Sequence, residues 1–182
     1  SNPKVNVDVS NLETDGAWQY SISGGTLSTP STGSFFDLPF GSYAAGSIVL
    51  KHVDLAGNQG QATVLAYTGT LVIDNVGPTA ALGVALEADT GLADDDFVTS
   101  NPKVNVDLSL LESQTTSQWQ YGALVSPGGS VSWSTLYAAT QSFFNLTVDR
   151  DYAIGDIVVR EIDLAGNVGT ATSFASNVVI DT

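Results

Sequence analysis

The sequence predicts an all-β chain of two antiparallel β-sandwiches in tandem. Three observations carry this: apolar and polar residues alternate with a period of two, helical periodicity is nearly absent, and the chain repeats itself at a distance close to one small domain. Val5, Val7 and Val9 are separated by Asn6, Asp8 and Ser10, and Val104, Val106 and Leu108 repeat the pattern. Trp18, Tyr20 and Ile22 share one parity, as do Trp119 and Tyr121. Segments 47–53 and 156–162 are β-branched and bounded by Gly or Asp, and the pairs Gly24, Gly25 and Gly128, Gly129 mark turns. Segment 79–86, TAALGVAL, runs straight into a Gly/Asp loop and reads as a strand. Roughly seven short strands in about 100 residues fit a two-sheet sandwich.

The repeat is explicit. SNPKVNVD at 1–8 returns letter for letter at 100–107, and WQY at 18–20 returns at 119–121. SFF at 34–36 returns at 142–144, DLAGN at 54–58 returns at 163–167, and VID at 72–74 returns at 179–181. The offset rises from 101 at WQY to 108 at SFF, so the second copy carries an insertion between them, which holds Trp133 and Tyr137. The expected division is a first repeat over 1–75 and a second over 76–182, joined at the short DNVGPT segment that Pro78 stiffens. Residues 76–99 precede the second SNPKVNVD and have no counterpart before the first. The first repeat is therefore expected to lack its opening strand.

Composition narrows function. The chain has 182 residues, 43% of them apolar, enough for a buried core. Nineteen acids against five bases give a net charge of −14, which disfavours nucleic acid and anionic membranes. No run of apolar residues is long enough to span a bilayer. The absence of methionine points to a piece of a longer protein. Without cysteine there is no disulfide or thiolate site, and a single histidine, His52, argues against a His-based zinc site or a Ser-His-Asp triad. His52 aligns with Glu161 and reads as an exposed strand residue; Trp18 and Trp119 read as core. No catalytic constellation is found, so the chain is not expected to be an enzyme.

The ordered series DTG…D…VTSN, WQYS…GG, YAAG…DLAGN and VID resembles the bacterial Ig-like repeats of giant RTX-type adhesins, exported by type I secretion. The resemblance spans the second repeat and all of the first except its opening strand. It implies Ig-like sandwiches that serve as calcium-rigidified extenders, projecting a ligand-binding region from the bacterial surface. It also implies an extracellular location, a monomeric chain whose partners are neighbouring repeats, and a glycan or protein ligand elsewhere in the parent.

Calcium takes six to eight oxygen ligands, which suits an Asp-rich chain. Glu87, Asp89, Asp94, Asp95 and Asp96 fall within ten residues, and bare they repel one another. By resemblance, Asp89 and Asp96 are the leading ligands, with Asn101 and its counterpart Asn2 as further oxygens. DLAGN supports two readings. Asp54 with Asn58, and Asp163 with Asn167, either close a tight turn through their own backbone or hold calcium. Strand alternation brings Asp74 toward the Asp163 loop, so a shared ion at the joint is expected against an ordinary charged linker. The alternative function is a sugar- or protein-binding module using Trp133 and Tyr137.

Overall fold

A computed structural model describes residues 3–93, 95–124, 129–147 and 149–182. Asn2, Asp94 and Gly128 lie outside these. The described residues are all strand, turn and loop, without a helix, and no helix long and apolar enough to cross a membrane is present among them. The chain divides into two compact units, Ser1–Asn75 and Val76–Thr182.

The first unit contains β1 (Lys4–Asn6), β2 (Ala17–Ile22), β3 (Phe35–Asp37), β4 (Gly41–Ala44), β5 (Ile48–Val53), β6 (Thr63–Val64) and β7 (Thr70–Ile73). β1 pairs with β3, β2 with β5 and β5 with β6, and β4 with β7, all antiparallel. Alternation decides the faces. Trp18, Phe36, Leu38, Tyr43 and Ile48 form the buried cluster, with Val5, Val7, Tyr20 and Leu50 packed against it. The Tyr43 hydroxyl donates to the Pro39 carbonyl at 2.7 Å, a tyrosine corner that ties the start of β4 to the chain four residues before.

The second unit contains β8 (Gly83–Leu86), β9 (Val98–Thr99), β10 (Lys103–Asp107), β11 (Gln118–Leu124), β12 (Val131–Trp133), β13 (Tyr137–Ala138), β14 (Phe143–Asn145), β15 (Arg150–Tyr152), β16 (Ile157–Ile162), β17 (Thr172–Ser173) and β18 (Val178–Ile180). One sheet runs β14-β10-β8. Another runs β12-β11-β16-β17, with β13 also on β11, and a third runs β15-β18-β9. Only the β18–β9 pair is parallel among the pairs described. The core is larger here: Leu82, Val104, Val106, Trp119, Phe144, Val159, Val178 and Ile180 are buried together.

The two units use the same register and the same aromatic device. Val5 faces Phe36 across β1–β3, and Val104 faces Phe144 across β10–β14. Tyr20 stacks on Phe36 and Tyr121 on Phe144, both at 4.1 Å between centroids. Each buried indole N–H reaches a backbone carbonyl, Trp18 to Gly33 at 2.6 Å and Trp119 to Gln141 at 2.8 Å. A buried indole that left its N–H unpaired would lose part of what its burial contributes.

The insertion is not a free loop. It folds into β12 and β13, which lie along the edge of β11. Tyr137 stacks on Trp119 at 4.7 Å, and Trp133 takes the Arg160 guanidinium over its face at 3.6 Å. This explains why Gly122 replaces the serine found at Ser21 in the first unit. A Cβ on Gly122 would collide with Val131 Cγ1 and lie 3.0 Å from Trp133 Cε3.

That correlation has a measurable consequence. Gly122→Ala is expected to cost the second unit about 1–3 kcal/mol through overpacking, while Ser21→Ala stays within about 0.5 kcal/mol. Adding Val131→Ala to Gly122→Ala is expected to recover most of the loss. Thermal melts of the variants check this, and equal effects at the two positions would contradict the packing account.

Candidate metal centre

The loop between β8 and β10 is a compact knot of oxygens. Asp89 Oδ2 accepts the Phe97 N–H at 2.8 Å, while Asp89 Oδ1 is buried and has no hydrogen-bond partner among the described residues. Phe97 sits at φ +58°, a left-handed backbone that a bulky residue rarely adopts. Asp96 Oδ1 accepts the Val98 N–H at 3.0 Å. Gly91 lies directly beneath: a Cβ there would be 2.7 Å from Asp96 Oδ1 and 2.8 Å from the Val98 carbonyl oxygen. Only glycine lets a carboxylate and a carbonyl approach the backbone this closely. Thr99 Oγ1 donates to the Ala88 carbonyl at 2.7 Å and is itself buried, which fixes the two limbs of the loop together. A hollow of about 530 Å³ opens here, lined by Glu87, Asp89, Asp95, Phe97 and Phe174 among others.

The other expected ligands of this loop are engaged elsewhere. Glu87 forms an ion pair with Lys103 and accepts the Asn101 side-chain amide at 3.1 Å. Asn101 Oδ1 in turn accepts the Lys103 N–H at 3.1 Å. The Lys103 ammonium, then the Asn101 amide, hold the Glu87 carboxyl below its ordinary value. Among the described residues, no three Asp, Glu or His side chains group as a metal cluster. The oxygens at hand are thus Asp89 Oδ1, Asp96 and nearby backbone carbonyls, hard donors of the kind calcium takes.

The DLAGN segments fold as turns. In the first unit Asp54 Oδ1 accepts the Asn58 N–H and Oδ2 accepts the Asn58 side-chain amide, both at 2.7 Å. In the second, Asp163 makes the same two bonds to Asn167 at 2.8 Å. Gly57 and Gly166 both take φ +86°. Each carboxylate therefore accepts hydrogen bonds with both oxygens, as the turn reading expects. Asp163 is buried, and Asp54 is more open. Asp74 lies just past β7 in the first unit.

Two groups escaped the sequence reading. His52 is half-buried, not exposed, and its Nε2 is buried without a hydrogen-bond partner. Its counterpart Glu161 is 1% exposed, with Oε1 accepting the Glu112 N–H at 2.8 Å and Oε2 unpartnered. The signal was in the parity: Ile157, Val159 and Glu161 share the inward face of β16, as Ile48, Leu50 and His52 share that of β5.

No protein-family model matches the chain, and no curated protein is similar to it in sequence. The site rests on its own geometry.

The turn geometry sets an acid response. The side-chain amide and then the N–H of Asn58 hold the Asp54 carboxyl below its ordinary 3.8. A depressed folded value gives stability that is present above about pH 3.8 and lost as pH falls through the folded value. Asp54→Asn is expected to make first-unit melting less sensitive to acid below that pH, and an unchanged acid limb would contradict the turn reading. Asp163→Ala, which removes the buried carboxylate that accepts two bonds from Asn167, is expected to cost the second unit about 1–3 kcal/mol at neutral pH.

Proposed function

We propose that the chain is a calcium-stiffened extender module of a large bacterial cell-surface adhesin, holding a ligand-binding region away from the cell. The observation that carries the calcium part is the buried, unpartnered Asp89 Oδ1 inside the Asp-rich loop of the second unit. A buried carboxylate oxygen without a donor is costly, and a divalent cation relieves that cost along with the repulsion from Asp95 and Asp96. The extender part rests on the near-verbatim internal repeat, the all-β architecture and the lack of any nucleophile with a base beside it in the motifs read. In this reading the partners are neighbouring repeats of the same chain, the location is extracellular, and the chain is not an enzyme. The adhesion ligand belongs to another part of the parent protein. The insertion gives little support to a sugar-binding alternative, because Tyr137 packs on Trp119 and Trp133 on Arg160.

Ion binding to the folded state alone contributes about 2.7 kcal/mol at 100-fold excess over the dissociation constant, worth roughly 10 °C or more for a domain of this size. Millimolar calcium is therefore expected to raise the second-unit melting temperature of metal-stripped protein by that amount, with magnesium doing less. Asp89→Ala or Asp96→Ala is expected to remove most of the gain. Asp37→Ala and Asp15→Asn are expected to keep it; asparagine is chosen because Asp15 sits at φ +62°. An identical melt with calcium and with chelator would overturn the proposal.

A further inference from the structure

The DLAGN turn of the second unit fixes the two residues that follow it. Asp163 accepts the N–H and the side-chain amide of Asn167 at 2.8 Å, and the Asp163 N–H donates to the Asn167 carbonyl at 3.1 Å. The chain then runs back along β16. Val168 forms an antiparallel bridge with Ile162, and the Gly169 N–H donates to the Glu161 carbonyl at 2.9 Å. Val168 and Gly169 thus lie against the end of a strand whose inward residues Val159 and Glu161 are buried.

The segment that enters the second unit rests on these two residues. A Cβ on Gly77 would stand 2.5 Å from the Val168 carbonyl oxygen and 3.1 Å from its carbonyl carbon. A Cβ on Gly169 would stand 3.1 Å from Pro78 Cβ and 3.1 Å from the Pro78 carbonyl oxygen. The approach is reciprocal: each segment presents a glycine to the other. What each glycine faces is backbone or a proline ring, neither of which can rotate out of the way. Pro78 is buried, and having no N–H it leaves no donor unpaired there. Val76 is exposed, whereas beyond Pro78 the chain passes through the fully buried Leu82 into β8.

We propose that the turn after β16 anchors the joint between the repeats. The DLAGN carboxylate holds Val168 and Gly169 in place, Gly77 and Pro78 seat on them, and the second unit is fixed from Gly77 onward. Only residues 74–76 then remain as the joint. Gly77 is on this account a positioning residue rather than a flexible link, and the anchor takes an extended Gly-Pro segment: the glycine permits the approach and the proline covers Gly169. The anchor holds without an ion, so it goes beyond the calcium reading. It rests on the extender reading only for its use, because a short joint is what a spacer needs.

The test measures backbone amide order parameters in the isotopically labelled whole chain with chelator present. The Thr79 amide, next to Pro78, is expected near about 0.85, the value of rigid backbone. Gly77→Ala and Gly169→Ala are each expected to lower it below about 0.6 while the β16 amides keep theirs. The double variant is expected to be no looser than either single one, since both break the same contact. Asn167→Ala touches neither glycine and removes the side-chain bond to Asp163; it is expected to loosen Thr79 as well. A rigid Thr79 in both glycine variants, or a loss spread equally over β16, would overturn the anchor. Loosening by the glycine variants and none by Asn167→Ala would overturn the part assigned to the DLAGN turn. An unsubstituted chain whose Thr79 is loose in chelator and rigid in calcium would make the anchor ion-dependent and overturn the proposal. A Thr79 equally rigid in both supports it, whatever calcium does to the second-unit melt.

Discussion

Burial of one tryptophan between two sheets is the interaction on which each unit depends. Trp119 is completely buried and Trp18 nearly so. An indole of this kind removes about 150–250 Å² from water, worth on the order of 4–6 kcal/mol at about 25 cal/mol per Å². That is comparable to the whole net stability of a small domain. The ring can be buried only because its N–H meets a carbonyl of the segment entering β3 or β14 and because a Phe and a Tyr close over it. With the centre fixed this way, the ends of the sandwich carry turns and loops that contribute less to the core.

Those ends follow two different solutions. The DLAGN turns engage both oxygens of an aspartate with one asparagine. The loop after β8 crowds aspartates together and leaves one buried oxygen bare, with Phe97 held in a strained backbone beside it. A self-satisfied turn and an unsatisfied knot built from the same residue type are distinguished by geometry alone. The inward ends of β5 and β16 show a similar divergence: His52 lies against Gly16, where a Cβ would come 2.6 Å from its Nε2, while Glu161 stands in a unit that has Ser117 at the matching position.

Strand periodicity and the repeat made most of the fold legible. Val5, Val7, Trp18 and Trp119 face inward as their parity requires, and the Thr79–Leu86 stretch yields β8. The strands of the insertion are two or three residues long, too short for alternation to register in the sequence. The exposed reading of His52 follows the charge of its counterpart Glu161, whereas parity places the side chain on the inward face. At the candidate centre, composition marks only an acidic loop, and it is the resemblance that implies Asp89 and Asp96 within it. Neither discloses that Glu87 is held by Lys103 and Asn101, which only the fold brings together. Gly91 and Phe97 matter through backbone position, which residue identity alone does not disclose.

The central claim is that a fixed β scaffold holds the loop after β8 ready for a cation. The most direct measurement is a calcium titration of metal-stripped, isotopically labelled protein, read at single backbone amides. The Phe97 and Val98 amides, bonded to Asp89 and Asp96, are expected to shift together and saturate below millimolar calcium while the DLAGN amides stay nearly still. Small, unsaturating shifts spread over all exposed carboxylates, with Phe97 no different from the rest, would contradict it.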